Sequence, residues 1–331
     1  GFVDLQVNGS HGIDVMSTSA DGILQISDQL AREGTSAWLP TAVTSPIEQI
    51  EKAHRAIGEA IARQQYDPAT GARVARILGM HLEGPFISPM RLGAHPKLHL
   101  EPRGEAFERV MALEHLKLVT LAPELPGALD AIKRLTSRGV VVSIGHTNAT
   151  FEEASAGIAA GARMFTHLFN AMRPLNHRDP GVVAAALTGE LAMPAVIPDG
   201  VHLTPEILRL IYMTRTSRRM FMTTDKVSLA GTSTGIAMPV GREQARIVDG
   251  AARLPDGTLA GATISMLEGA RVMQKIGAGI GDLAMMAARN PADLLGETQR
   301  GRLQPGAVSD IIVLDETLRL KAVFLAGREL S

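Results

Sequence analysis

The sequence predicts an α/β fold, a (β/α)8 TIM-type barrel with a small β element outside it. Short apolar, β-branched runs alternate with longer amphipathic stretches, the order that produces a parallel sheet. Eight such runs precede residue 226. They are nearly continuous in apolar residues, which suits strands covered on both faces in a closed barrel. A chain of 331 residues, 45% of them hydrophobic, can bury the core such a barrel needs as one unit.

The elements follow in order. Strands are expected at Phe2–Val7, Ala37–Thr41, Ile77–Leu82, Leu116–Leu121, Val140–Ile144, Met164–His167, Pro194–Ile197 and Met220–Thr224. Helical patterns lie between them at Ala20–Glu33, Ile47–Gln65, Glu105–Leu113, Gly127–Arg138, Thr150–Ala160, Val182–Thr188 and Thr204–Thr214. Thr150 with Glu153 three residues on has the form of a capping box. Beyond Asp225 the rhythm changes. Residues 227–241 are rich in Gly, Ser and Thr, and residues 245–259 alternate as strands around turns at Asp249-Gly250 and Asp256-Gly257. Helices are expected at Thr263–Ile276 and Gly281–Leu294, with a break at Asn290-Pro291. The division expected is a barrel over 1–300, with a hairpin insertion at about 241–259, and a tail over 301–331 of short strands with turns, a small β element outside the barrel.

A net charge of −1 argues against nucleic acid or an anionic membrane as partner, so any anionic substrate must meet a local cluster. There is no cysteine, hence no disulfide and no thiolate ligand. No apolar run approaches the ~20 residues of a membrane span and no signal peptide is visible, so a cytoplasmic location is expected. Gly1 already stands inside a strand-like run, which reads as a chain whose native start is missing.

The chemistry-bearing residues close the strands. Glu83, His146 and His167 each follow an apolar run, and Asp225 closes another. Taken singly, a glutamate here caps a turn and a histidine is a satisfied core residue. Together they stand at equivalent ends of barrel strands, where the loops open onto one face. One carboxylate and two imidazoles make a three-ligand set with an open position for a hydrolytic metal, zinc first and iron(II) second. Asp225 beside it is the candidate general base and then acid. With no cysteine and no Gly-x-Ser-x-Gly elbow, acyl-enzyme chemistry is disfavoured. A second group is suited to an anion: the backbone N–H groups of Asn170 and Ala171, the planar fork of Arg178, and His202 and His95 in loops after strands. Each of these is by default a solvated loop residue. Lys226 would depress the Asp225 pKa if its ammonium came close, or else points outward.

These motifs resemble the N-acetylglucosamine-6-phosphate deacetylases of the amidohydrolase superfamily. The similarity runs through residues 1–9, His81–Phe86, Leu121–Glu124, Gly145–Ala149, Thr166–Met172, Ala260–Ala262 and Leu303–Gly306. The resemblance implies a distorted barrel with a small β-sandwich assembled from both termini, and a homodimer. It implies that Glu83, His146 and His167 hold one divalent ion per subunit and that Asp225 is the acid/base. Ala94, His95, Asn170, Ala171, Arg178, Asp199, His202, Leu259, Ala260 and Gly261 match substrate-contacting positions, with Arg178 and His202 serving the neighbouring subunit's site. The implied reaction is hydrolysis of the acetamide of an N-acetylhexosamine 6-phosphate.

The chain departs from the pattern in three places. The N-terminal half of the small β-sandwich is absent, which leaves 301–331 as its C-terminal part alone. Many amidohydrolases carry His-x-His at the end of the first strand; here that place reads Gln6-Val7-Asn8, which implies one metal rather than two. Lys226 replaces a small residue after the acid/base. The other readings are the galacto epimer of the same substrate, another amidohydrolase acting on a cyclic amide or N-acyl amino acid, and an inactive barrel kept for binding.

Overall fold

Eight strands pair in parallel in the order in which they occur in the chain: β1 Phe2–Val7, β2 Thr35–Val43, β3 Met80–Glu83, β4 Leu116–Leu121, β5 Val141–Ile144, β6 Met164–Phe165, β7 Met193–Val196 and β8 Phe221–Met222. The structure is a computed structural model and describes residues 1–66, 73–233 and 235–330. Helices α1 Ala20–Arg32, α2 Ile47–Tyr66, α3 Gly104–Met111, α4 Ala128–Ser137, α5 Phe151–Ala160, α6 Gly181–Thr188 and α7 Pro205–Arg215 follow the first seven strands. The α5 capping box forms as expected: Glu153 N donates to Thr150 Oγ1 at 3.2 Å and Thr150 N to Glu153 Oε2 at 2.8 Å. None of the described helices is long and apolar enough to cross a membrane.

Two elements differ from expectation. The run at 77–82 is split: Arg76–Ile77 pairs with β2, and β3 begins only at Met80. Gly79 makes the break at φ +147°, where a Cβ would lie 2.3 Å from Lys117 Cγ. The insertion after β8 is not a hairpin over 241–259 but a four-stranded antiparallel meander, β9 Ala237–Val240, β10 Glu243–Val248, β11 Ala251–Arg253 and β12 Leu259–Ala262. Pro239 makes β9 hard to recognise in sequence, and β9 is an edge strand, where proline is tolerated.

Helix α8 Met266–Lys275 then packs on the barrel, and the chain passes through Asn290-Pro291 without stopping. Helix α9 Ile280–Ala284 widens into a π turn at Met285–Arg289 and resumes as α10 Asn290–Leu294. The wider turn accommodates a proline that has no N–H and would collide with the preceding turn. Asn290 Nδ2 also donates to Ser217 O and Met220 O, both at 2.7 Å, tying this helix to the start of β8. Residues 311–329 form one three-stranded antiparallel sheet, β13 Ile311–Leu314, β14 Leu320–Leu325 and β15 Arg328–Glu329. It lies beside the start of β1, where Gly1 N donates to Asp310 O at 2.6 Å.

The barrel interior is stacked in levels. At the amino-terminal end of the strands Val3, Leu5, Ala37, Leu39, Leu118, Met164, Ala195 and Phe221 form an apolar plug against Ala292. Above it lies a polar level of His81, Thr120, Ser143 and Thr166. His81 Nε2 meets Thr120 Oγ1 at 2.9 Å, and Thr166 Oγ1 meets Thr120 Oγ1 at 2.7 Å and Ser143 Oγ at 2.5 Å. Burial pushes His81 down to about 4, so this level carries no charge at neutral pH.

The seam between β1 and β8 is held differently. One isolated parallel bridge joins Val7 to Lys226, and below it the Asp4 carboxylate does the pairing. Asp4 Oδ1 accepts from Thr223 Oγ1 at 2.7 Å and Thr224 N at 3.2 Å, while Oδ2 accepts from Thr224 Oγ1 at 2.5 Å. Burial raises the Asp4 pKa, and these hydrogen bonds only partly oppose it. Replacing Asp4 with alanine leaves several buried donors without a partner, each costing about 1–3 kcal/mol. We expect Asp4→Ala to lower unfolding free energy by about 2–4 kcal/mol in chemical denaturation; an unchanged midpoint would show that the seam is held by other contacts.

Candidate metal centre and catalytic carboxylate

Three strand ends deliver three ligand atoms to one point. Glu83 Oε1 lies 3.2 Å from His146 Nε2 and 3.0 Å from His167 Nε2, and the two imidazole nitrogens are 3.2 Å apart. Atoms bound to one ion at about 2.1 Å sit about 3.0 Å apart in octahedral and about 3.4 Å apart in tetrahedral coordination. The set therefore fits a divalent cation in both spacing and chemistry, and it is the one such group among the described residues. His146 Nδ1 faces Arg91 O at 2.9 Å, which holds the proton on that nitrogen and leaves the Nε2 lone pair facing its partners.

The electrostatics agree. Burial alone would raise Glu83, but its bonds to His146, His167 and His95 hold it well below the ordinary carboxylate range. Burial, with the neighbouring His95, pushes His146 down to about 4, a neutral imidazole suited to ligation. Burial opposes protonation of His167 as well, yet the bond to Glu83 and its charge leave that histidine raised.

Asp225 is joined to this group by an amide. Gln6 Nε2 donates to Glu83 Oε1 and to Asp225 Oδ1, both at 3.0 Å, and Asn8 Nδ2 donates to Asp225 Oδ1 at 2.7 Å. Both donors reach the same oxygen, and nothing among the described residues donates to Oδ2. Burial, with the nearby Glu83 charge, raises Asp225 to about 6, opposed by His167, His202 and the Asn8 bond. Sequence reading treated Gln6 and Asn8 only as missing metal ligands. Their role as donors to the carboxylate depends on a break in strand alternation: the pairing of β1 with β2 is irregular between Asp4 and Val7, so Leu5 enters the interior plug while Gln6 still reaches the site.

The backbone is strained where the chemistry is. His146, His167 and Asp225 have φ of +46°, +28° and +53°, and Phe169 and Ala171 in the loop after β6 are also left-handed. Such residues cost about 1–3 kcal/mol each and persist only where surrounding bonds hold them. For His146 one holder is Glu124, which sequence reading quoted without a role: Thr147 Oγ1 donates to Glu124 Oε2 at 2.5 Å and Asn148 N to Oε1 at 2.7 Å.

The site opens into a cavity of about 240 Å³. Its wall includes Ala94, His95, Asn170, Ala171, His202, Leu259, Ala260 and Gly261, together with Asn8, and with Asp14 and Val240, which the sequence does not single out. His95 Nδ1 is seated on Thr44 Oγ1 at 2.7 Å, with Nε2 3.6 Å from Glu83 Oε2. Asp199 stands behind the wall. Its Oδ1 accepts the N–H groups of Val201 and His202, both at 2.8 Å, and its Oδ2 meets His202 Nδ1 at 2.6 Å. Burial would raise Asp199, but His202 holds its pKa low.

The remaining candidates are placed as follows. His202 lines the cavity of its own chain, because Asp199 beyond β7 folds the ring back over the barrel mouth. The Asn170 N–H is not offered to a ligand; it closes a turn onto His167 O at 3.0 Å. Arg178 is exposed and outside this cavity, in a tight turn where Asn176 and Asp179 bridge. Lys226 leaves Asp225 alone: its ammonium turns onto Glu33, at 2.7 and 2.5 Å from the two carboxylate oxygens.

Comparison with known proteins agrees with the geometry. The chain is 33% identical over 332 residues to an N-acetylglucosamine-6-phosphate deacetylase of Lysinibacillus sphaericus, covering 99% of this chain and 84% of that protein. It is 34% identical to an N-acetylgalactosamine-6-phosphate deacetylase of Escherichia coli O157:H7, covering 99% of this chain and 86% of that one. Its fold superposes with a TM-score of 0.90, at 33% identity and covering 100% of this chain and 86% of the other, on a mutant N-acetyl-D-glucosamine-6-phosphate deacetylase of Mycobacterium smegmatis solved in complex with N-acetyl-D-glucosamine-6-phosphate. With the Amidohydrolase family model matching residues 1–330, across the barrel, its metal-ligand cluster and the tail sheet alike, this chain belongs to the amidohydrolase family.

Proposed function

We propose that this chain hydrolyses the acetamide of N-acetylglucosamine 6-phosphate to glucosamine 6-phosphate and acetate. The observation that carries the reading is the convergence of Glu83, His146 and His167 within 3.0–3.2 Å, with Asp225 tied to the same Glu83 through Gln6. The names and bound sugar phosphate of the relatives support the substrate. The galacto epimer is the second reading, supported by the relative of that name at 34% identity.

Glu83, His146 and His167 hold one divalent ion, zinc by preference for imidazole with carboxylate. That ion supplies Lewis acidity to the amide carbonyl and lowers the pKa of its water. Gln6 and Asn8 face the carboxylates with NH₂ groups, which have no lone pair to offer a second ion. Asp225 receives the water proton at its free Oδ2 and returns it to the departing nitrogen, because an amine leaves poorly unless protonated. His95, fixed by Thr44, orients the carbonyl oxygen. His202 and the wall at Ala94, Asn170, Ala171 and Leu259–Gly261 hold the sugar phosphate. Arg178 reaches the phosphate of a neighbouring subunit in a homodimer. We further read the chain as cytoplasmic, with residues 1–300 as the catalytic unit and 301–331 as part of a small β-sandwich.

The test is acetate release from a panel of gluco- and galacto-configured N-acetylhexosamines, with and without 6-phosphate, after defined metal loading; no release from any phosphorylated member sinks the reading. Asp225→Asn should retain metal and lose about 10²–10⁴-fold in kcat, and near-wild-type turnover would remove its role. His146→Ala and His167→Ala should each lose the ion, so elemental analysis at full occupancy would contradict the ligand assignment. Arg178→Ala should raise KM for the phosphorylated sugar at least tenfold more than for the free sugar, about 1.4 kcal/mol of phosphate-specific binding. Equal effects on both sugars would exclude a phosphate contact.

A further inference from the structure

The proposed reaction gives no task to the buried charge of Lys226. Lys226 directly follows Asp225, and its side chain is 2% exposed, seated on Glu33. The backbone of Glu33 is fixed at the end of α1, its N–H bonded to Gln29 O and Leu30 O, and its carboxylate is about one-quarter exposed. An ammonium without water must keep its carboxylate, so the side chain of Lys226 has essentially one place to be.

The backbone of Lys226 is equally committed. Its carbonyl accepts from Asn8 N at 2.7 Å and Gly9 N at 3.1 Å, and its own N–H donates to Thr224 Oγ1 at 3.2 Å. It bridges Val7 on one side and Ala262 on the other, and Ala262 N donates to Asp225 O at 3.0 Å. Three parts of the site therefore meet at this residue: the strand end carrying Asn8, the left-handed Asp225, and the β12 segment whose Leu259–Gly261 line the cavity.

We propose that Lys226 is a positioning residue for the deacetylation proposed above: its ammonium, anchored on Glu33, fixes the peptide from which Asp225 reaches the substrate. The assignment rests on that functional reading for its kinetic consequence, while its geometric consequence stands alone. A displacement of about 1 Å at a catalytic group costs on the order of 10²-fold in rate, so an anchor outside the cavity can govern turnover without touching the substrate.

Two variants test it. Glu33→Asp keeps both charges and draws the anchor back by one carbon; kcat should fall about tenfold, with KM within twofold and one metal per chain retained. The double variant Glu33→Leu with Lys226→Met removes both charges, so its thermal midpoint should stay near that of the wild type. Its kcat should nevertheless remain at least tenfold low, and the amides of Asn8, Gly9 and Ala262 should exchange with solvent faster while the remaining barrel amides keep their protection. A purely structural pair predicts that activity returns with the midpoint. Wild-type kcat in either variant, or unchanged exchange at those three amides, overturns the proposal. A wild-type chain that releases no acetate sinks the functional reading alone, since the exchange result is read without substrate.

Discussion

A carboxylate stripped of water at the mouth of a barrel must find positive charge, and Glu83 imposes that demand on everything around it. Its side chain is 3% exposed, and three imidazoles stand within 3.0–3.6 Å of its two oxygens. Histidines answer the demand only in part, since burial pushes His146 down to about 4. A divalent cation held by Glu83, His146 and His167 would answer it more fully. The same field shapes Asp225, whose pKa rises with burial and with the nearness of Glu83. A second carboxylate beside the first is tolerable only because Gln6 stands between them with one N–H for each. The cluster is thus one electrostatic unit, and its residues have no independent reason to be where they are.

Such a unit needs a rigid floor, which the levels of the barrel provide. Hydroxyls and a neutral His81 lie beneath the ligands, satisfying one another without adding charge. Below them an apolar plug excludes water. Where the sheet lacks a backbone ladder, between β1 and β8, Asp4 substitutes a carboxylate with bonds to Thr223 and Thr224. Since Thr224 precedes Asp225 and Asp4 lies two residues before Gln6, closing the barrel and aligning the Asp225 carboxylate with its amide are one structural act.

Much of this was legible in the sequence, and the physical reason is periodicity. Eight apolar runs separated by amphipathic stretches specify a barrel, and strand ends in a barrel converge, so Glu83, His146 and His167 could be brought together on paper. What escaped reading depended on irregularity. The Gly79 break, the π turn that carries a helix through Pro291, and the register slip that lets Gln6 reach the site after Leu5 all violate a simple period. Side-chain direction escaped too. A lysine beside a catalytic aspartate could face it or turn away, and only the position of Glu33, far off in sequence at the end of α1, decides for the outward course. His202 is held over the cavity of its own chain by two bonds to Asp199, a contact that spacing alone does not reveal.

The amide pair of Gln6 and Asn8 sets the direction in which the Asp225 carboxylate can act. Two donors on one carboxylate lower its proton affinity, which by itself would make Asp225 a poorer base. Both fall on Oδ1, however, and burial together with Glu83 more than restores the lost affinity, leaving the group near 6 with its other oxygen unencumbered. A base anchored by one oxygen and open at the other cannot rotate to present the wrong lone pair. Amide hydrolysis demands that restriction: the proton taken from water must be carried a short distance to a nitrogen on the same face, and a freely turning carboxylate would spend much of its time pointing elsewhere. Asparagine and glutamine at this strand end therefore serve as fixed dipoles, doing for the orientation of Asp225 what histidine ligands cannot.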